Sequence, residues 1–505
     1  MSLRSHKTKI VATIGPASSS PTVMESMIRA GMDIARLNFS HGDFSGHALV
    51  IRDLRAAAAT VGRRLTIFAD LPGPKMRIGE VDAPFELEAG DRFVLTTEPI
   101  VGNRERVSVS FDRLPEVVKA GDALYLNDGY VQLQVEAVNG SEVLCTVTAG
   151  GELRSRKGLN LPGIDLGIRA FTEHDRDCLA FALEHGVDAV SQSFVERGSD
   201  IEAVREAAHA LGHHPLVIAK IERAGALDHL EEILDAADAV MIARGDLGVE
   251  VPIERIAAVQ KEIMRRANRR AKPVITATQM LESMVEHRLP TRAEATDVAN
   301  AILDGTDCVM LSAESAAGRY PVESVAMLAK IATAIEPTRR PVRVRELFDG
   351  FDLRAVLKDA AELSMARHRE GTTVESYETS VDPTAHARVL PEHLLALSVE
   401  ACFEYVTPAA VFTPTRSGDS ARRMAMLHLP VWTIAVSPVA QTCQRLQLSY
   451  GVFPEHEPDD PESWNDYVRE WRRRRDIAAG VIVLTAGPSL AHPEANHRLE
   501  LIEPE

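Results

Sequence analysis

The chain has 505 residues, enough for two to four domains and a sizeable core. It carries 56 Lys and Arg against 73 Asp and Glu, a net charge of −17, which argues against a general nucleic-acid binder or a protein drawn to anionic membranes. No apolar run approaches the length of a transmembrane helix, the first nine residues hold no apolar stretch of a secretory signal, and five scattered cysteines without a CxxC pair predict free thiols in a reducing cytoplasm.

In chain order, residues 9–15 read as a strand, Pro21–Ala30 as a helix with Pro near its start and Gly31 at its stop, 33–40 as a second strand and 65–70 as a third. The pattern then changes. From residue 73 to about 157, short β runs (92–96, 106–110, 130–135, 143–147) are broken by Gly, Asp and Asn, which predicts a small all-β domain inserted into an α/β one. The α/β rhythm resumes with strands at 189–194, 216–222, 239–244, 273–278 and 308–312, each followed by a helical segment. Three strands before the insertion and five after make eight units, so the expectation is a closed (β/α)8 TIM barrel rather than an open sheet. Residues 337–390 read as an irregular connector or insertion, with a basic cluster at Arg339, Arg340, Arg343 and Arg345. Residues 391–505 read as a C-terminal α/β domain with strands at 410–413, 431–436 and 480–485. The barrel is thus expected from residues 1–72 and 158–336, with residues 73–157 as the inserted β domain.

Functional residues of such a barrel stand at the C-terminal ends of its strands. Those ends supply Arg36 to His41, Asp70, Lys220 with Glu222, Arg244 to Asp246, Thr276 with Thr278, and Ser312 with Glu314. Glu222 and Asp246 are oxygen donors suited to Mg²⁺ or Mn²⁺. Lys220 and Arg36 suit a phosphate or a developing anion. Lys220 and Glu222, two apart on a strand, face the same side, and Gly245 lets backbone N–H groups approach an anion closely.

Six motifs together resemble the pyruvate kinase family, in its order and spacing. They are ARLNFSH (35–41), KIE (220–222), MIARGDLG (241–248), ATQMLESM (277–284), PTRAE (290–294) and DCVMLSAE (307–314). The resemblance implies phosphate transfer from phosphoenolpyruvate to ADP, giving pyruvate and ATP. It implies Glu222 and Asp246 as ligands of the divalent metal, and Lys220 as the group that stabilises the transferring phosphoryl and the enolate. Gly245, Asp246 and Thr278 would hold the substrate, and Arg36 its phosphate. Arg77 and Lys157 of the lid, with Asn38 and His41, would meet the nucleotide. A proton donor to the enolate is expected near Thr278, through water and Ser312.

Family members that need K⁺ bind it with side chains matching Asn38, Ser40, Asp70 and residue 71, which here is Leu71, and carry Glu where this chain has Lys75. The expectation is activity without K⁺, the Lys75 ammonium supplying the charge. The loop containing Thr415, Ser417, Gly418 and Ser420, a Ser/Gly turn opening a helix, reads as a phosphate cradle, and in the family the corresponding loop often binds a phosphorylated effector. The resemblance also implies a cytoplasmic homotetramer, in which the PTRAE segment serves subunit contacts; Thr291 and Glu294 equally fit a helix capping box. Thr384 to Arg388 is similar to a phosphohistidine motif but lacks its Gly pair, so an ordinary surface His386 is expected. The rival activities are a Mg²⁺-dependent lyase, against which Arg77 and Lys157 argue, and a catalytically idle metabolite sensor, against which the intact rim argues.

Overall fold

The computed structural model describes residues 3–339, 391–459, 461–475, 477, 480–487 and 497–503. The connector from residue 340 to 390, with Arg340, Arg343, Arg345 and His386, lies outside them. The chain divides into two compact units, Thr8–Ala332 and a second unit of Met1–Lys7 with Thr333–Glu505.

The first unit holds a closed barrel of eight parallel strands: Lys9–Thr13, Ile34–Asn38, Thr66–Leu71, Ala189–Gln192, Leu216–Ile221, Ala239–Ala243, Val274–Ala277 and Cys308–Leu311. Each strand pairs with its neighbours in chain order, and Lys9 opposite Cys308 closes the ring. All eight expected strands are present and form the expected barrel. Their nearly continuous Val, Ile and Ala content follows from burial on both faces: Ile10, Val11, Ile218 and Ile242 are fully inaccessible. The helices begin and end where local chemistry dictates. Ser20 caps the Pro21–Ala30 helix, Asp43 caps Phe44–Val61, and Gly62 ends the latter in a left-handed conformation. Thr291 and Glu294 form the expected capping box.

Between the third and fourth barrel strands the chain leaves to form the β domain. Its main sheet has six strands, built around the antiparallel run Ala123–Leu126, Val131–Asn139, Glu142–Ala149 and Arg92–Thr96. Alternating residues Phe93, Leu95, Leu124, Leu133, Val135 and Val143 fill one core of its own. Its only helix among the described residues is the single turn Leu114–Val117.

The second unit holds a five-stranded sheet in the spatial order Val452–His456, Thr433–Ser437, Ala410–Pro414, Ile482–Ala486 and Arg498–Ile502. The last strand is antiparallel and the rest are parallel. The sequence reading missed the first and last of these, both edge strands, because Pro454 and the mixed polarity of Arg498–Ile502 hide their periodicity. Trp471 packs edge-on against Phe412 at 5.1 Å in its core, and Arg339 lies over the Tyr450 ring. All five cysteines are free.

Candidate active site

The strand ends of the barrel bring a charged cluster into the mouth. Lys220, at the end of the fifth strand, is 7% exposed. Its Nζ donates to Ser193 Oγ at 2.6 Å and lies 3.2 Å from Glu222 Oε2 and 3.4 Å from Asp70 Oδ1. Arg36, from the second strand, donates from Nε to Asp70 Oδ2 at 3.0 Å and pairs with it again through Nη2. Its Nη1 reaches Thr13 Oγ1. Ser191 Oγ donates to the other Asp70 oxygen at 2.6 Å. Asp70 therefore sits between two cations, Arg36 on the adjacent second strand and Lys220 on the fifth strand across the fourth.

These contacts decide the protonation states. Burial works against charge on Asp70, but Lys220 and Arg36 outweigh it and hold the carboxyl well below the usual carboxylate range. Burial also works against charge on Lys220, yet Asp70 and Glu222 raise its pKa and keep the ammonium. Glu222 is pushed up, first by burial and then by Asp246, with Lys220 opposing. Its Oε1 accepts the Phe194 N–H at 2.7 Å, whereas its buried Oε2 accepts no hydrogen bond and meets only Lys220. Asp246 is exposed on the first turn of helix Arg244–Glu250.

A buried carboxylate with an unpartnered oxygen, next to a second, exposed one, could hold a small hard cation that keeps the rest of its shell for water and substrate oxygens. Among the described residues no group of three or more His, Cys, Asp or Glu side chains is gathered for a metal.

Beside Asp246 lies a strained turn. Thr278 and Gln279 both adopt positive φ, 65° and 53°, a conformation costly for β-branched threonine. The turn is held by Gly245 N–H donating to Thr278 Oγ1 at 2.7 Å and by Arg244 donating to the Thr278 carbonyl at 3.0 Å. Arg244 is in turn fixed by a two-pronged pair with Asp297, at 2.8 and 2.7 Å. Ser312 adopts φ −108° and ψ −99°; its N–H donates to buried Glu314, and its buried Oγ has no partner.

Lys75 lies on the segment leading into the β domain. Its side chain reaches solvent, yet desolvation and the Lys220 ammonium pull its pKa down, against Asp70, Glu222 and Asp246, which pull it up. It therefore stands within the field of the whole cluster. His41 is held below the usual imidazole range by desolvation and by Lys75, Arg77 and Arg36, which places these four cationic or basic groups together. Asn38 Oδ1 accepts the Ser40 N–H within a turn. Arg77 and Gly158 form an isolated antiparallel bridge, and the Lys157 carbonyl accepts the Ile78 N–H, so Arg77 and Lys157 lie on adjoining segments.

The C-terminal loop is built differently. Thr415 Oγ1 accepts the Gly418 N–H, Ser417 Oγ donates to Asp419, and Arg422 pairs with the same carboxylate. Ser420 is half-buried on the following turn. The groups expected to cradle a phosphate are engaged with one another around Asp419.

Sequence reasoning placed Lys220, Glu222, Asp246, Arg36 and Thr278 at the rim. It missed Ser193, Ser191 and Asp297. Ser191 and Asp70 are 121 positions apart, and Asp297 meets Arg244 across 53; no local pattern announces such pairs.

Comparison with known proteins gives the family. A family model described as pyruvate kinase, barrel domain, matches residues 5–325, and one described as pyruvate kinase, alpha/beta domain, matches residues 392–496. The pyruvate kinase of Thermococcus litoralis is 44% identical over 458 residues, covering 90% of this chain and 89% of its own. The pyruvate kinase of Mycobacterium intracellulare is 37% identical over 449 residues (89% of this chain, 87% of its own), and that of Mycobacterium tuberculosis 38% over 445 (88% and 86%). The chain is a phosphotransferase on a (β/α)8 barrel with a separate α/β domain. It belongs to the pyruvate kinase family.

Proposed function

We propose that the chain transfers the phosphoryl group of phosphoenolpyruvate to ADP, giving pyruvate and ATP as a step of glycolysis, and that it does so without K⁺. The observation that carries the reading is the buried Lys220 ammonium, held by Asp70, Glu222 and Ser193 at the mouth of the barrel. Phosphoryl transfer asks chiefly for positioning and charge neutralisation, and this rim offers cations and no covalent nucleophile.

An ADP phosphate oxygen attacks phosphorus as the bond to the enol oxygen breaks, and the electron pair stays on that oxygen as an enolate. Lys220 and Arg36 face the charge on the phosphoryl group, and Lys220 remains beside the enolate. Gly245, Asp246 and Thr278 orient the carboxylate and methylene end of the substrate. The enolate is protonated at its methylene carbon from the side of Thr278, with water relayed from Ser312, whose unpartnered Oγ is free to bind it. Glu222 and Asp246 would hold Mg²⁺ or Mn²⁺, which when bound supplies further neutralisation of phosphate charge. Arg77 and Lys157 reach the nucleotide phosphates from the β domain, which acts as a lid, and Asn38 and His41 border the nucleotide.

Lys75 carries the argument about K⁺. Its ammonium lies in the field of Asp70, Glu222 and Asp246, where a monovalent cation would otherwise balance them, and Leu71 brings no side-chain oxygen to a K⁺ site. The C-terminal loop supports a phosphorylated effector less well, because Asp419 already occupies its donors. A cytoplasmic homotetramer agrees with the free thiols and the family; light scattering on the purified chain tests the assembly. No helix among the described residues is long and apolar enough to cross a membrane.

The testing experiment is pyruvate formation from phosphoenolpyruvate and ADP with Mg²⁺, with and without K⁺, alongside Lys220→Met. Turnover without K⁺ that is lost in the variant is the expected result. Turnover only with K⁺ discards the role of Lys75. Turnover without ADP turns the reading to a lyase, and binding without turnover to a sensor.

A further inference from the structure

Two stretches of chain join the β domain to the barrel, residues 71–75 going out and residues 161–170 returning. Both are tied to one short part of the rim. On the outgoing side, Ser193 Oγ donates to the Leu71 carbonyl at 2.8 Å. Gly73 (φ 65°) lies so near the Phe194 ring that a Cβ there would come within 2.9 Å of it. On the returning side, Gln192 Nε2 donates to the Ala170 carbonyl at 2.8 Å, and Arg223 Nη2 donates to the Ile164 carbonyl at 3.0 Å.

The same part of the rim holds the chemistry. Ser193 Oγ accepts from Lys220, the Phe194 N–H donates to Glu222, and Arg223 directly follows Glu222 in the chain. The Arg223 side chain is only 7% exposed, and its Nε lies 3.1 Å from Glu196 Oε1. Glu250 also feels its charge. A cleft lined by Pro74, Asp165, Leu166, Phe194 and Arg223 lies beneath both linkers. Packing shares the load with these polar ties: Leu161 and Leu166 lie in the core of the β domain, Leu71 and Ala170 are buried, and the Gly73 N–H also donates to Asp175 Oδ1 at 2.9 Å.

We infer that Arg223 is a positioning residue, which fastens the returning linker of the lid to the strand end carrying Lys220 and Glu222 and so sets how closely Arg77 and Lys157 approach the site. The inference rests on the function proposed above. The guanidinium suits the task because its planar fork bonds a carbonyl with one arm while facing a carboxylate with another. A lysine keeps the charge opposite Glu196 but offers a single point. Loosening the tie lets the lid tilt, and a displacement of about an ångström at the lid-borne cations is felt in the nucleotide step before the substrate step.

The test compares wild type with Arg223→Met, Arg223→Lys and Glu196→Gln. It reads KM for ADP, KM for phosphoenolpyruvate, thermal midpoint, and amide hydrogen exchange of residues 161–167. Expected is a rise of about tenfold in KM for ADP in both Arg223 variants, with KM for phosphoenolpyruvate within about twofold, and faster exchange across residues 161–167. Glu196→Gln, which only loosens the aim of the guanidinium, should show a smaller change in the same direction. If Arg223→Lys behaves as wild type in both ADP binding and linker exchange, charge alone matters and the inference falls. It falls equally if the thermal midpoint drops while both KM values and the exchange stay unchanged. Should Arg223→Met not fold, the other two variants decide. A wild type inactive with phosphoenolpyruvate and ADP would sink the proposed function, and the exchange measurement would still judge the tie itself.

Discussion

The barrel mouth and the C-terminal loop at residues 415–420 are both strand-to-helix turns rich in hydroxyls, glycine and charge, yet their polar groups are spent differently. At the mouth, Lys220, Asp70 and Glu222 are buried and strongly coupled, and capacity is left over: Glu222 Oε2 accepts no hydrogen bond and Ser312 Oγ has no partner. At the loop, Thr415, Ser417 and Arg422 close on the loop's own backbone and on Asp419. Buried polar groups without partners are costly and persist where a ligand completes them. Groups that satisfy one another at the surface need no ligand.

The sharpest way to break this contrast is Lys220→Met. Removing the buried ammonium leaves Asp70 and Glu222 without their shared counter-charge. Turnover should fall about 10³-fold, and stability by about 3–5 kcal/mol at neutral pH, where both carboxylates must stay charged or take up protons. Steady-state rates and thermal denaturation check the two halves separately. A variant that keeps a tenth of the wild-type rate would remove Lys220 from the chemistry.

Thr278→Ala comes next. It deletes the acceptor of the Gly245 N–H and relaxes little of the positive-φ strain, since alanine shares it. The expected cost is about 1 kcal/mol in stability but roughly 10²-fold in kcat, because the turn aims the substrate's methylene end. Equal, small losses in both would make Thr278 merely structural.

Lys75→Met should lower turnover about tenfold in K⁺-free buffer, with part of the loss recovered by K⁺ and not by a bulky monovalent cation. Indifference to both the variant and the cation would separate Lys75 from the cluster.

The pH dependence provides a fourth test. Asp70 has a folded-state pKa below its unfolded one, so its contribution to stability is complete above the ordinary carboxylate range and is lost as pH falls through that range and below it. Glu222 is raised, so the ligand-free protein gains from its protonation at mildly acid pH and loses that gain as pH rises through the raised value. Mg²⁺ added without substrate should therefore raise the thermal midpoint more at pH 8 than at pH 5.5, where the proton competes for Glu222. An equal shift at both pH values would place the ion elsewhere.

The smallest effect is expected at the loop. Asp419→Ala removes an i,i+3 pair whose carboxylate is exposed, and should change stability by roughly 1 kcal/mol at most. Sugar phosphates should leave wild-type kinetics within about twofold. A large activation would mean that Asp419 swings away to admit the ligand, and the contrast with the mouth would collapse.

Much of this was legible in the sequence because it is local. Apolar runs of strand length, Pro and Gly at helix ends, and the shift at residue 73 to short β runs report how each segment buries its own surface. The KIE and RGD motifs placed Lys220, Glu222 and Asp246 at strand ends, since alternation along a strand sends residues 220 and 222 to one side. The edge strands of the C-terminal sheet escaped because half-buried edges carry mixed polarity, and the hydroxyl-rich loop suggested a phosphate cradle because composition does not reveal where the Asp419 side chain turns.

By itself, then, the chain's order of residues determined the barrel, its inserted β domain, and the types of group gathered at the rim. Only the tertiary structure decided which of those groups are charged, which oxygen is left without a partner, and which side chains tie the β domain to the rim. Charge state depends on burial and on the nearest opposite charge, and closing the barrel brings Asp70 against Ser191, 121 residues away, and Arg223 against Ile164, 59 away. Distances of that kind exist only after the ring of strands has closed.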